Sequence, residues 1–515
     1  MIIFCSFAKN LTRKYKTMKR LISFLPILLM LCQISLSQTI VFNSKDSSLC
    51  IDNEIIKSVT FKTGNTKILM STINGIVING QTYDLNGYDV GGKIGGLANV
   101  NFIPIFGQSL SVGAAAFPAI SKVQKYPAGI MFNGGVRCAQ KAESFFTSFI
   151  PLVEQDYIRP SPSGDSTGSG ETVASGCVEK LVELICNDYG ISPYSAFYDD
   201  HKFLFGSFGS GSKTIADLTE VPSSGIGYYQ GLVNAMTAAK RICNANGLTL
   251  NIPAWIWIQG ETDQKNTNNT PKATYKQALA DLAEQIDTDA KSITGQTNDV
   301  KCICYQIGSQ NIVTSAPTPN YNSTAMDVPM AQMELVRDND MFAASSPVYI
   351  LDHSTQEPIH LSAIGEKMLG LYCGIALKTV IADGSLNKGV TPSQISIDGN
   401  NILIKCNVQC PPLKIDHTWV NPVSHEGFCV LKSNNTDIIT SVSVFDDIIS
   451  ITCSESPIGC KLYYAYNGTR TKDGRLEGSR GNICDSADKV YHGIIGEKTY
   501  TCANYLYGFE YLLNE

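Results

Sequence analysis

The sequence predicts an α/β protein: a domain built on a parallel sheet covered on both faces, followed by an all-β C-terminal domain. Two changes of rhythm carry that reading. From Asn101 to Ile381, strand-like apolar runs alternate with helix-like stretches, the pattern that builds a parallel sheet. After Asp383-Gly384 the helical rhythm stops. Short alternating runs such as ISIDGNNILIKC and CKLYYAY take over, separated by Gly, Asn and Asp turns, as in a β-sandwich.

The chain opens on residues 1–37. Met18-Lys19-Arg20 precedes LISFLPILLMLCQISLS and then Gln38. A positive start, an apolar run and a small-residue boundary read as a secretory signal peptide cut after Ser37, with Met18 a possible true start. The apolar run is shorter than the ~20 residues a membrane span needs. The expectation is a secreted or periplasmic protein with no stable membrane insertion once the signal is removed. Residues 38–95 alternate in short runs around Asn74-Gly75, Asn79-Gly80 and Asn86-Gly87, a β-rich segment of hairpins.

The α/β domain is placed at 96–385. Its strands are expected at NFIPIF, HKFLFGS, IPAWIWIQ, KCICYQI and PVYIL. Helices are expected at Tyr228–Ala245, Lys272–Lys291, Ala331–Asp338 and Ala363–Ile381. The stretch 155–175, rich in Ser, Gly and Pro, is read as a long surface loop. Residues 386–515 form the accessory β domain.

A chain of 515 residues with 43% hydrophobic side chains can fill two or three domains. The net charge of −6 offers no basic surface, which argues against a nucleic-acid partner. Of seventeen cysteines, Cys5 and Cys32 lie in the leader, leaving fifteen. Export makes disulfides plausible, above all among Cys406, Cys410, Cys429, Cys453, Cys460, Cys484 and Cys502. Cys406-x-x-x-Cys410 has zinc-like spacing but lacks partners, and no histidines recur at ligand spacing, so no metal is expected. Cys302 and Cys304 fall on one face of a strand and read as buried thiols.

Chemistry is sought where strands end at the carboxyl edge of the sheet. Four features fall there. Gly107-Gln108-Ser109 ends the first strand: glycine permits a sharp turn that presents Ser109, with Ser111 as the competing hydroxyl. GSFGSGSKTIADL, 206–218, nearly matches a phosphate loop, but Ser212 intrudes between Gly211 and Lys213. Its bare backbone suits an oxyanion hole at Gly209 or Gly211 better. WIWIQGETD, 255–263, runs from an apolar strand into Gln259, Glu261 and Asp263, more polar groups than packing needs. Last, Glu357 stands three residues before His360. A carboxylate there can fix one ring nitrogen and leave the other for the serine. All four features precede Gly384, which puts the chemistry wholly in the first domain.

The order Gly-Gln-Ser, glycine-rich loop, Gln-Gly-Glu-Thr-Asp, then carboxylate-x-x-His before Leu-Ser-Ala-x-Gly resembles the SGNH hydrolase superfamily. Within it, the chain is similar to the sialate O-acetylesterase-like carbohydrate esterases, over roughly residues 100–380. AQMELVRDNDMFAASSPVYIL, 331–351, shares in the likeness. The resemblance implies a three-layer α/β/α domain and hydrolysis of acetyl esters on sugars, without cofactor or metal. It carries the nucleophile onto Ser109 and the base onto His360. The acid is commonly aspartate; here Glu357 takes the place, with Asp352 as the alternative. Ser109, Gly211 and Gln259 are expected to hold the oxyanion, and Gln108, Glu261 and Asp263 to meet an acetylated carbohydrate. The alternatives are a carbohydrate-binding protein on a hydrolase-like fold, or a lipase or thioesterase of the same superfamily.

Overall fold

The structure, a computed structural model, describes residues 97–514 except 160–166, 266–267, 309–318, 356–358 and 467–473. Before residue 97 it describes only the backbone of five short strands, among them Ile76–Ile78 paired antiparallel with Gln81–Tyr83. The expected signal segment lies outside the described residues, as do most of the expected turns of 38–95. No helix among the described residues is long and apolar enough to cross a membrane.

The central sheet contains β1 (Val100–Gly107), β2 (Gly129–Phe132), β3 (Phe149–Pro151), β4 (Lys202–Ser207), β5 (Leu250–Asn251), β6 (Ala254–Ile258), β7 (Lys301–Gln306) and β8 (Phe342–Pro347). Their spatial order is β8-β7-β6-β1-β4-β2-β3, with β5 also pairing with β1. All neighbours run parallel except β2 and β3. Every residue of β1 and of β6 is buried. Strands covered on both faces need continuous apolar runs rather than alternation, which is why NFIPIF and AWIWI read so clearly. Pro104 is tolerated in this central strand because pairing on one side lapses there. β5 pairs with Val100 and Asn101, and β6 resumes only at Ile105.

Helices α1 (Val173–Tyr189) and α7 (Ala363–Lys378) pack together on one face of the sheet, and α7 also meets β8. On the other, α3 (Tyr228–Ala245), α5 (Lys272–Thr294) and α6 (Asp327–Asp338) pack in series. Two small helices, α2 (Ile215–Thr219) and α4 (Glu261–Gln264), open at the carboxyl edge. The result is the expected α/β fold, three layers with a parallel sheet.

Two expectations shift. The last strand is FAASSP rather than PVYIL, and Val348–Ile350 forms a 3₁₀ turn whose three side chains are buried. Apolar bulk marked the core there, not the strand; Ala343, Ala344, Ser345 and Ser346 are small enough for α7 to lie close. Helix α1, absent from the sequence reading, begins inside the stretch 155–175 read as a surface loop, whose last residues, 169–175, are buried; the Thr172 side chain caps it. It crosses α7 through glycines: a Cβ at Gly370 would lie 2.5 Å from the Val173 carbonyl oxygen.

Beyond Gly384 the described strands are antiparallel. Thr391–Asp398, Asn401–Asn407, Ile448–Cys453 and Ile439–Phe445 form one sheet in that order. Phe428–Leu431, Lys461–Tyr464 and Phe509–Leu512 form another. This region is seated on the first. Gln306 exchanges two hydrogen bonds of 2.7 Å with the Gly508 backbone, and the Tyr349 and Tyr372 hydroxyls donate to the Leu506 and Ala503 carbonyls. Apolar side chains of both regions form one continuous core. Every cysteine among the described residues is a free thiol, against the expected disulfides. Most sit singly in apolar packing, where burial pushes Cys429 and Cys484 well above the ordinary thiol range. Cys302 and Cys304 are both fully buried.

The glycine crossing gives a test. Gly→Ala inside a helix is ordinarily worth up to about 1 kcal/mol in stability. At Gly370 the new methyl would meet backbone atoms that cannot swing aside, and overpacking costs about 1–3 kcal/mol. Gly370→Ala should therefore lose about 1–2 kcal/mol, read as a lower urea midpoint with unchanged slope.

Candidate active site

The sheet places the site. From β1 the chain moves to β2 on one side, fills the gap with β4, then crosses to β6 on the other. The direction of winding reverses at β1, and a crevice opens outside its carboxyl end. There β1 stops at Gly107, with φ 154°. A Cβ at that position would lie 1.9 Å from the Ile258 carbonyl oxygen, so only glycine fits. The same oxygen accepts the Gln108 N–H at 2.9 Å. The chain then turns through Ser109 into the 3₁₀ turn Leu110–Val112.

Ser109 and His360 meet. His360 Nε2 lies 2.8 Å from Ser109 Oγ, although the residues are 251 positions apart. Ser111, the competitor, is fully buried and donates its hydroxyl to the Gln108 carbonyl at 2.6 Å. The glycine-rich loop after β4 folds over the end of β1: Phe208 N–H reaches the Ile105 carbonyl at 2.9 Å and Ser210 N–H the Gly107 carbonyl at 3.1 Å. A Cβ at Gly211 would lie 3.8 Å from the Ser109 Cβ, so the Gly211 backbone borders the serine. Among the described residues, the N–H groups of Ser109 and Gly211 have no protein acceptor.

The third motif is spent largely on the fold, which corrects the expectation for Gln259. Its side-chain amide donates to the Lys213 carbonyl at 3.1 Å and to the Asp263 carboxylate. Its side-chain oxygen accepts the Tyr275 hydroxyl at 2.8 Å, so no hydrogen is left for an oxyanion. Asp263, 1% exposed, also accepts from Ile215 N–H at 2.9 Å and from Thr270 Oγ1 at 2.8 Å; it cannot also serve a substrate. Burial raises its carboxyl above the usual range in spite of these donors. Gln108 is buried, and its side-chain oxygen accepts the Thr262 N–H at 3.2 Å. Glu261 differs. Tyr305 hydroxyl donates to Oε1, while Oε2 is buried without a partner among the described residues. Burial pushes this carboxyl up to about 7, with the Tyr305 hydrogen bond pulling the other way.

Glu357 lies outside the described residues. The alternative acid, Asp352, is occupied: Ser362 donates to Oδ2 at 2.7 Å and Arg475 to Oδ1 at 2.9 Å. Tyr275, Tyr305, Arg137 and Arg475 were missed in the sequence. Arg137 donates to the Val112, Gln155 and Gly170 carbonyls around the turn after Ser109. Nothing in its sequence neighbourhood marks it.

No protein-family model matches the chain, and no curated protein matches it. Among solved structures, a carbohydrate acetylesterase from Xanthomonas citri matches with a TM-score of 0.50 at 9% identity, over 80% of each chain. A carbohydrate acetylesterase from Sinorhizobium meliloti gives 0.29 at 13% identity, over 54% of this chain and 98% of that one. An aryl esterase from M. smegmatis gives 0.29 at 11%, over 54% and 99%. The first of these likenesses bears on the fold alone, and the other two are too loose to carry weight.

The Glu261 carboxyl makes a pH prediction. Its folded pKa, about 7, stands above its ordinary 4.5. Its stabilising contribution is therefore complete below about 4.5 and lost as pH rises through about 7. Glu261→Gln keeps an acceptor for Tyr305 and removes the charge. Relative to the parent, its melting temperature should be higher at pH 8, with the advantage shrinking toward pH 5. Equal differences at both values would mean the carboxyl does not titrate there.

Proposed function

We propose that this chain is an exported serine esterase that removes O-acetyl groups from carbohydrates, a sialate O-acetylesterase-like member of the SGNH hydrolases. The observation that carries the reading is the 2.8 Å approach of His360 Nε2 to Ser109 Oγ at the winding reversal of the sheet. A hydroxyl against an imidazole is the nucleophile–base geometry of acyl transfer. His360 takes the proton as Ser109 attacks the acetyl carbonyl, then gives it to the departing sugar oxygen, leaving the acetyl on Ser109. Water, deprotonated by His360, attacks that ester, and acetate leaves as the proton returns to Ser109 Oγ. The N–H groups of Ser109 and Gly211 receive the oxyanion; one such donor is typically worth about 3 kcal/mol in the transition state. Glu357, as the resemblance implies, orients the imidazole. The substrate class rests on the motif resemblance, with the fold likeness in agreement on the scaffold alone, and export rests on the signal-like sequence of residues 1–37.

The assignments are tested on 4-nitrophenyl acetate. Ser109→Ala and His360→Ala should each lower kcat by about 10⁴-fold or more, as for members of a catalytic unit. Ser111→Ala should stay folded and turn over. Glu357→Ala should cost less than His360→Ala, because orientation is lost but the base remains. Fluorophosphonate labelling of the intact protein should vanish in Ser109→Ala alone among the serine variants. Labelling that persists there would end the assignment.

Acyl length tests the substrate class. A buried methylene contributes about 0.8 kcal/mol of transfer free energy in a roomy apolar pocket, whereas a small pocket rejects it by overpacking. Acetate esters should be much preferred to butyrate, and acetylated sugars should be deacetylated. Equal or faster hydrolysis of long-chain esters would move the protein to the lipase class.

A further inference from the structure

His360 stands just before Ser362, where hydrogen bonds between Asp352 and Ser362 close the neck of the chain that carries it. The Asp352 carbonyl accepts the Ser362 N–H at 3.0 Å, and Asp352 Oδ2 accepts the Ser362 hydroxyl at 2.7 Å. Ser362 also caps α7, its hydroxyl oxygen accepting the Gly365 N–H at 3.1 Å. Inside the neck, His353 and Leu361 face each other as an isolated antiparallel bridge. Ser354 N–H donates to the carbonyl of His360 itself at 2.8 Å. The backbone of His360 is thus fixed by the neck, and the neck by Asp352.

Asp352 in turn is held from the other region of the chain. Its Oδ1 accepts the Arg475 guanidinium at 2.9 Å across 123 residues of sequence. Arg475 is not a loose surface cation. Its guanidinium carbon lies 4.6 Å from the centre of the Trp419 ring, within cation–π range. Its carbonyl accepts the Asn421 N–H at 2.8 Å. Trp419 Nε1 reaches back to the Ile350 carbonyl at 2.9 Å, two residues before Asp352. The preceding Gly474 is pressed against the same turn: a Cβ there would lie 3.0 Å from the Tyr349 Cα and 3.2 Å from His353 Cε1. The Trp419–Arg475 pair therefore grips the entrance of the His360 loop at two points, Ile350 and Asp352.

We propose that Arg475 is a positioning residue for ester hydrolysis: through Asp352 it holds the His360 loop in register with Ser109, and so makes the C-terminal β region part of the catalytic apparatus. This rests on the reading of Ser109 and His360 as nucleophile and base. Magnitudes say where the effect shows. A partly exposed ion pair adds little to global stability. A displacement of about 1 Å at a reacting group can cost about 10²-fold in rate. Loss of Arg475 should thus appear in turnover far more than in folding.

The test uses the full chain and 4-nitrophenyl acetate, with Arg475→Met, Arg475→Lys, Asp352→Asn and the Arg475→Met/Asp352→Asn pair. Circular dichroism and urea midpoints establish folding. Arg475→Met should lower kcat by about 10- to 100-fold with KM little changed. Arg475→Lys, which keeps the charge but loses the planar stack and fork, should recover part of it. The double variant should be no slower than the slower of the two single variants, because both changes cut one path. A folded Arg475→Met with parental kcat overturns the proposal, as do losses that multiply in the double variant. Should Arg475→Met not fold, Arg475→Lys and Asp352→Asn decide it alone: parental kcat in both overturns it, reduced kcat at parental KM supports it. Ser109→Ala, run alongside, separates the premise, since turnover surviving there removes the nucleophile assignment and this proposal with it.

Discussion

The site depends on a β-carbon that is not there. At Gly107 the end of β1 passes so close to β6 that a methyl would overlap the Ile258 carbonyl. That approach does two things at once. It lets the Ile258 oxygen, at the last residue of β6, accept the Gln108 N–H, which fixes the direction of the turn. It also clears the edge, so that Ser109 projects where the winding of the sheet reverses. The loop after β4 then closes over the same spot, with Ser210 bonded to the Gly107 carbonyl. The serine, the glycine-rich loop and the third motif are neighbours because three strands end around one glycine.

The polar groups around that point divide their labour. Gln259 and Asp263 were natural candidates for substrate contact, because a burst of polar residues after a buried strand is costly unless it is used. It is used, but internally. Each buried polar atom left unmade would cost about 1–3 kcal/mol, and Gln259, Asp263, Thr270, Tyr275 and Gln332 satisfy one another instead. Such a network ties α2, α4, α5 and α6 to the end of β6. It stiffens the wall of the crevice, and on the proposed reading oxyanion binding falls to backbone N–H groups that need no side chain.

Much of this was legible in the sequence where one residue type has one physical reason to be there. Continuous apolar runs marked β1, β4, β6 and β7, because strands buried on both faces have no polar side. The pairing of Ser109 with His360 was legible because both follow strands of a parallel sheet, whose carboxyl ends converge. FAASSP was misread because small residues carry no strand signal of their own; α7 selects them, and α7 begins only at Ala363. Helix α1 was hidden because its first turn, with Ser175 and Gly176, resembles the loop before it. Gln259 could not be assigned from sequence: whether its amide faces outward depends on Tyr275 and Lys213, each distant along the chain. Arg475 was illegible for the same reason, since its partner lies 123 positions away.

The change of rhythm at Gly384 marks a change of architecture, not a mechanical seam. The sequence reading put all the chemistry before Gly384 and made the second region dispensable to the chemistry but not to stability. The buried polar groups bear on stability. Gln306 is 1% exposed and meets the Gly508 backbone at both ends of its amide. Tyr349 and Tyr372, both buried, send their hydroxyls to Leu506 and Ala503. Cutting the chain near Gly384 removes the Gly508, Leu506 and Ala503 partners and takes the apolar cover from the shared core. The β region is better understood as the outer wall of the α/β domain than as an appendage to it. A wall that sets the stability of the domain is also placed to set its geometry, and the turn it grips through Trp419 and Arg475 is the one that carries His360.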